Sequence, residues 1–464
     1  MNTAMNIVLI STYELGRQPF GLASPAAWLA RAGAHVRCLD LSRDAFREDV
    51  IRDADLIAFY VPMHTATRLA VELLDPVRKF NPRAHICFYG LYAPVNEPYL
   101  RGLGVETILG GEFEEGLVAL SSGLRQASAH KPAEQRREPA PALQVISLAR
   151  QSFLVPQRNS LPSLDRYAHL ILPDGTHRVA GYTEASRGCK HLCRHCPIVP
   201  VYDGTFRIVQ REVVRADIRQ QVAAGAEHIT FGDPDFFNGP AHAMAIVEAM
   251  HREFPALTYD VTIKIEHLLR HANLLPRLRD TGCAFVTSAV ESVDDVVLAK
   301  LDKGHTRADF LAVVELFREA GLVLHPTFVP FMPWTTLAGY CELLRVIAEH
   351  KLVENVAPIQ LAIRLLIPAG SRLLELEEIR SLVQPFDAAA LVYPWLHEDP
   401  RVDKLASDVQ EIVHRGEKLK QSRGKIFLRI WEAAHAAAEL AYAPPEATMV
   451  SRAAVPYLNE PWYC

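Results

Sequence analysis

The sequence is short of several things, and each shortage excludes a class of protein. It has no surplus of positive charge: 49 Lys and Arg against 54 Asp and Glu leave a formal charge of −5, so nothing draws it electrostatically to nucleic acid. It has no apolar run of about 18 residues, so no membrane span is expected. Its start, MNTAMNIVLISTYELG, lacks a charged stretch leading into an apolar core and reads as a strand, not a signal peptide. Cysteine is sparse, eight in 464 residues, which is unlike a disulfide scaffold and fits a reducing cytoplasm. The cysteines that do cluster lack a partner pair. Cys189, Cys193 and Cys196 form a single C-x3-C-x2-C trio in RGCKHLCRHC, with no fourth thiolate beside it.

What is present is a hydrophobic content of 49%, enough for a sizeable core. Over residues 1–124, strand signals (NIVLIS, HVRCLDL, DLIAFYVP, HICFYG, ETILGG) alternate with helical ones. The helix in SPAAWLARAG takes Ser24 as its cap and Pro25 as its first residue. This alternation predicts a doubly wound, Rossmann-like parallel sheet. Its loops at 13–20, 62–65 and 90–93 line the carboxyl edge, where such sheets bind ligands. Residues 125–175 read as a polar, Pro- and Ala-rich linker with a lead-in. Over 176–395, six strand candidates (GYTEAS, HITFGD, YDVTIK, AFVTSAV, VLHPTFVP, PIQLAIRL) are separated by helices and predict a partial (βα)6, TIM-like barrel. Residues 396–464 read as helices and a tail. The fold class is therefore α/β.

The cysteine trio follows the first barrel strand, at the carboxyl end where barrels place their chemistry. Structural zinc wants four protein ligands, usually as two pairs. His191 and His195 lie too near the cysteines along the chain to complete such a set without strain, and read as neighbours. Ferredoxin clusters use four cysteines at other spacings. Three thiolates on one loop suit a cubane cluster with one iron left open to chelate a small molecule.

On these residues the sequence resembles the radical S-adenosylmethionine (radical SAM) superfamily, whose signature is C-x3-C-x2-C after the first barrel strand. The resemblance implies a [4Fe-4S] cluster on Cys189, Cys193 and Cys196. It also implies that the open iron holds the amino and carboxylate groups of S-adenosylmethionine, and that reduction cleaves a C–S bond to give a carbon radical. In FGDPDFF, Asp233 and Asp235 are expected to support the ligand's amino group, unless the loop only caps the next helix. Lys264 in TIKIEHLL, with Glu291 and Ser292 in SAVES, are expected to contact the ligand, the last two at its hydroxyl groups. Lys303 suits either a carboxylate or a surface salt bridge. Arg364 points at the ligand carboxylate or at a structural acid, and Arg207 is expected to anchor the cysteine loop.

The order of sheet, linker and barrel resembles the branch of the superfamily with a cobalamin-binding-like domain. Its first-strand loop here is STYELGRQPFG, with Arg17 and Gln18 but no histidine, so the domain either holds cobalamin without a protein histidine ligand or is a retained scaffold. His64 reads as a loop hydrogen-bonder. Gly90, Gly110 and Gly111 either make room for a flat cofactor or serve ordinary turns. YELGRQPFGLASPAAWL together with VAGYTEASRGC and FGDPDF resembles the group with a Cys-Sec-Ala-Glu-Pro or Cys-Cys-Ala-Glu-Pro tail. NEPWYC stops where that tail's first cysteine falls. A natural selenoprotein is therefore expected, with Cys464 as half of a soft catalytic pair.

The expected activity is radical-based group transfer, cobalamin-dependent methyl transfer or related chemistry, by a cytoplasmic transferase. One alternative is transfer of the 3-amino-3-carboxypropyl group to a soft acceptor such as arsenic. Another, from a different class, is a zinc-stabilised binding protein. The expected partners are a small-molecule substrate and an electron donor such as flavodoxin or ferredoxin, with neither nucleic acid nor membrane.

Overall fold

A computed structural model of the chain describes residues 4–129, 143–441, 443, 445 and 454–459. Its first sheet contains β1 (Asn6–Ser11), β2 (His35–Asp40), β3 (Leu56–Tyr60), β4 (His85–Tyr89), β5 (Thr107–Gly111) and β6 (Ile146–Ser147), in the order β2-β1-β3-β4-β5-β6 and all parallel. Helices cover both faces, so β3, LIAFY, is buried at every residue and needs no alternation. Two apolar clusters result, one on each face.

The first helix differs from its expected form. It runs Phe20–Arg31, with Pro25 inside it and Ser24 donating to Glu114 Oε1 at 2.6 Å instead of capping. A proline there orphans the carbonyl four residues back, that of Gly21. Tyr89 makes good the loss, its hydroxyl donating to Gly21 O at 2.8 Å.

The expected linker also does more than connect. The helix Glu114–Ala129 runs into it, β6 extends the first sheet, and β7 (His169–Ile171) belongs to the second. Arg158 ties the parts together by bonding Gln18, Asp217 and the Tyr182 carbonyl.

The second sheet adds β8 (His177–Thr183), β11 (His228–Phe231), β12 (Thr258–Thr262), β13 (Cys283–Glu291), β14 (Leu324–Phe328) and β15 (Tyr457–Leu458). A two-stranded brace of β9 (Ser186–Gly188) and β10 (Phe206–Ile208) stands at its carboxyl side. The order is β14-β13-β12-β11-β8-β7-β15, in which β8 and β11 to β14 are parallel. The sixth barrel strand, expected at PIQLAIRL, is a short 3-10 helix, Pro358–Leu361, followed by a single parallel bridge from Phe331 to Arg364. Pro358 has no N–H for a ladder, and the Gln360 side chain accepts from Phe328 N at 3.2 Å, where a strand's carbonyl would have done so.

Helices Pro400–Lys418 and Arg423–Ala437 pack Val402, Leu405, Ile426 and Phe427 into the barrel's core. The C-terminal region is not all helical, because β15 pairs antiparallel with β7. Among the described residues no helix is long and apolar enough to cross a membrane.

Candidate functional site

The cysteine loop leaves the barrel through the brace. Gly188 has φ +74°, and a Cβ there would lie 2.4 Å from the Tyr202 ring and 2.5 Å from Thr205 O, so only glycine lets the loop turn. Arg207 anchors the brace as expected, its Nε donating to Leu148 O at 2.7 Å. Cys189 and Cys193 are buried and Cys196 half-buried. Lys264 Nζ is 3.6 Å from Cys193 Sγ. Lys303, only 3% exposed, acts electrostatically on Cys193 and Cys196. Burial pushes the Cys196 thiol up to about 12 and raises Cys189 as well. Thiolates at these positions therefore need a cationic metal centre, and the donor chemistry fits an iron–sulfur cluster.

Around the loop lie most of the expected residues. Glu291 ends β13 with φ +68°, a backbone position costly for a residue with a side chain. Its carboxylate meets Lys303 Nζ at 3.2 Å and His195 Nε2 at 3.1 Å. Burial would raise it, but Lys303 and His195 hold it down to about 2. Lys303 therefore forms a buried ion pair, not a surface one. Asp235 meets His267 Nδ1 at 2.6 Å and His191 Nε2 at 3.5 Å, and accepts from Phe237 N at 3.1 Å. The two imidazoles outweigh burial and hold it at about 2. His191 also lies 3.5 Å from Glu266, so both loop histidines are neighbours of the cysteines, as expected, and each faces a carboxylate. One ligand atom each from Cys189, His191 and Asp235 lie within 4.8 Å of one another, a mixed donor set that zinc would also accept.

Other expected residues sit elsewhere. Asp233 accepts from Ala185 N (2.9 Å) and Ser186 Oγ (2.5 Å), which fixes the brace, and burial raises its carboxyl to about 7. Ser292 Oγ accepts from Asp294 N at 3.1 Å in the turn before the next helix. Of the two readings for Arg364, the structural acid is the one found. It bonds Asp403 at 2.6 Å and Trp395 O at 2.9 Å, and its guanidinium lies 3.7 Å from the Trp395 ring centroid, away from the cavity. His64 bonds Ala390 O at 2.5 Å. A Cβ on Gly90, Gly110 or Gly111 would meet Tyr60, Pro94 or Ser147, so these glycines make room for the protein itself. Cys464 lies outside the described residues.

A cavity of about 480 Å³ joins the two sheets. Its outer end is lined by Glu14, Leu15, Arg17, Pro62, Met63 and Leu91 from the first sheet's carboxyl edge. Its inner end reaches Thr262, Thr287, His325, Thr327 and Arg423 inside the barrel. The junction is held by Arg187, which bonds Glu184 (2.7 Å) and Glu114 (2.7 and 3.0 Å) and lies 3.5 Å from Glu112. The outer wall comes from the loops at 13–20, 62–65 and 90–93 expected at that edge, whereas the inner wall residues were not singled out from the sequence. Their signal was polar residues at alternate positions, Asp260 and Thr262 in TYDVT and His325 and Thr327 in HPT, within strands that a parallel sheet would otherwise make apolar.

Residues 183–344 match the radical SAM superfamily. The chain is 24% identical to the hopanoid C-3 methylase of Methylococcus capsulatus over 68% of its own length and 62% of that protein. It is 26% identical to a tRNA-2-methylthio-N(6)-dimethylallyladenosine synthase of Parafrankia sp. over 64% of its length and 58% of that protein. The chain thus spans less than two thirds of these relatives. Among solved structures it is similar to the cobalamin-dependent S-adenosylmethionine radical enzyme OxsB with aqua-cobalamin and S-adenosylmethionine bound (TM-score 0.69, 14% identity, 89% of this chain and 67% of that one). It is also similar to the radical S-adenosylmethionine methyltransferase TsrM of Kitasatospora setae with cobalamin and a [4Fe-4S] cluster bound (TM-score 0.58, 17% identity, 75% and 70%). The α/β fold, a parallel sheet beside a curled half-barrel, is the one these enzymes share. This chain therefore carries a radical SAM domain, and such a domain implies a [4Fe-4S] cluster and S-adenosylmethionine.

Proposed function

We propose that the chain is a radical SAM transferase that moves a methyl group onto a small molecule, with cobalamin as a second cofactor. The observation that carries this reading is the single cavity running from the carboxyl edge of the first sheet to the barrel interior, past Ser186 and Gly188 at the root of the cysteine loop. Cys189, Cys193 and Cys196 would hold the cluster, which when bound supplies the electron that breaks the C–S bond. Lys264 and Lys303 offset the negative charge that three thiolates bring into a buried place. Asp233 and Glu184 line the cavity beside the brace as acceptors for an ammonium group. Tyr182 and Phe231 wall that part of the cavity against water.

The volume suits one drug-sized ligand such as S-adenosylmethionine. Leu15, Pro62, Met63 and Leu91 would meet the corrinoid. They form an apolar rim without histidine, which fits cobalamin held with no protein imidazole on cobalt. Two similar solved structures hold cobalamin, and one relative is named a methylase, which supports the same reading. A one-electron donor such as flavodoxin or ferredoxin would approach the exposed Lys190 and Leu192.

The test is anaerobic reconstitution with iron, sulfide and hydroxocobalamin, gel filtration, then incubation with S-adenosylmethionine and reductant. Retained cobalamin and accumulating S-adenosylhomocysteine are expected. Methylthioadenosine would indicate aminocarboxypropyl transfer instead, and deoxyadenosine alone, without retained cobalamin, would overturn the methyl-transfer reading.

A further inference from the structure

The two lysines beside the cysteine loop are not equivalent. Lys303 acts electrostatically on Cys193 and Cys196, but its ammonium is already paired with Glu291 at 3.2 Å. Lys264 acts on Cys189 and donates to Cys193 Sγ at 3.6 Å. That sulfur is the sole hydrogen-bond or ion-pair partner of its ammonium among the described residues. The acids at this end of the barrel are engaged by other groups. Glu266 meets Arg270 at 2.6 Å and His191 at 3.5 Å, and Asp235 meets His267 at 2.6 Å.

Local structure does not call for a lysine here. Lys264 stands just past β12, at the N-cap of the short helix Ile265–Arg270, and its side chain makes no capping bond. A cation at a helix start gains nothing from the backbone dipoles. Lys264 is only 7% exposed, and a buried ammonium is costly unless it is hydrogen-bonded to an acceptor that holds charge. A thiolate that ligates a cluster is such an acceptor. Reduction adds one electron to the cluster, so a cation on a ligand sulfur stabilises the reduced form more than the oxidised one. Hydrogen bonds to the sulfurs are among the levers that set such potentials.

We infer that Lys264 acts through Cys193 to raise the reduction potential of the cluster, its ammonium donating an N–H···S hydrogen bond to that ligand sulfur. The inference rests on the radical SAM reading and deepens it, since it names the residue that makes the one-electron reduction easier. The step it favours is the addition of one electron from an external reductant, in which no bond forms or breaks and no proton moves. It also gives Lys264 a task that needs no contact with S-adenosylmethionine.

The test is a dithionite redox titration of the reconstituted full chain, followed by the paramagnetic resonance signal of the reduced cluster. S-adenosylmethionine is left out, so that a contact with that ligand does not move the reading. Lys264→Met removes the charge and the donor and should lower the reduction equilibrium constant about tenfold or more, about 59 mV for one electron. Lys264→Arg keeps a cation and a donor and should recover most of that loss. A second measurement needs no variant to fold. Wild type labelled with nitrogen-15 at lysine Nζ should show a nitrogen coupling to the reduced cluster, which should persist in Glu291→Gln/Lys303→Met and vanish in Lys264→Arg. The inference is overturned if Lys264→Met leaves the potential unchanged or raises it, if Lys264→Arg falls as far as Lys264→Met, or if labelled wild type shows no lysine coupling. Should Lys264→Met hold no cluster, the coupling alone decides. A wild-type chain that assembles no iron–sulfur cluster fails the radical SAM reading, whereas a cluster of unchanged potential fails this inference alone.

Discussion

Glu291 and Lys303 are worth most when one of them is missing. The pair is buried beside the cysteine loop, with side chains 9% and 3% exposed. Removing Lys303 leaves the buried carboxylate with His195 as its remaining partner, and breaking such a pair costs up to about 3–5 kcal/mol. Lys303→Met should therefore lower unfolding stability in urea by about that much, and Glu291→Gln/Lys303→Met should recover a large part of it. Equal losses in the single and double variants would mean that the pair is not desolvated. At this scale the sequence was readable where chemistry is local. The cysteine trio, Lys264 and Glu291 stand at strand ends and in short motifs, and the fold brings them to one loop. Arg364 was not readable to the same degree. Its two candidate partners could be stated, but the acid it found, Asp403, belongs to a helix 39 residues away. Ser292 likewise sits in the right motif but spends its hydroxyl on the turn.

The first helix shows how an element can break a rule and be repaired from elsewhere. Pro25 removes a helical hydrogen bond, and the Tyr89 hydroxyl satisfies the orphaned Gly21 carbonyl from the neighbouring sheet. Tyr89→Phe should cost about 1–3 kcal/mol, the price of leaving a buried acceptor unmet. In a Pro25→Ala background the new N–H reaches Gly21 itself, so the same change should cost clearly less. A thermal melt of the four proteins checks this, and equal costs in both backgrounds would contradict the repair. The proline signal in SPAAWL was read as a helix start because Pro favours the first turn. The tertiary hydrogen bond that lets it sit deeper leaves no mark nearby. Five of the six strands of the first sheet and five of the barrel were legible as apolar runs between helices, whereas β6 lies in what reads as linker. The sixth barrel strand failed because PIQLAIRL has the hydrophobicity of a strand, while Pro358 and the Gln360 side chain prevent the ladder.

Across the whole molecule, the two sheets are joined at Arg187, one guanidinium among three carboxylates. Burial, only partly offset by Arg187, raises Glu112 to about 7. A raised carboxyl binds its proton more tightly in the folded chain than in the unfolded one. Its stabilising contribution is complete below the ordinary value of 4.5 and is lost as pH rises through about 7. Wild type should therefore lose stability over that window relative to Glu112→Gln, as read from melting temperatures of the two proteins from pH 4 to about 8. Parallel curves would mean that the junction holds Glu112 ionised throughout. Only the Glu184–Arg187 pair is local, in TEASRGC; the contact to Glu114 in GGEFEEG joins residues 73 positions apart across two sheets, so nothing near either motif announced the junction.

The central claim is that the cysteine loop holds an iron–sulfur cluster that cleaves S-adenosylmethionine. The most direct test is metal and sulfide analysis of anaerobically reconstituted protein beside its Cys189→Ala/Cys193→Ala/Cys196→Ala variant. A brown wild type with iron and sulfide in equal amounts, and a colourless variant with neither, are predicted. A colourless wild type carrying stoichiometric zinc would contradict the account.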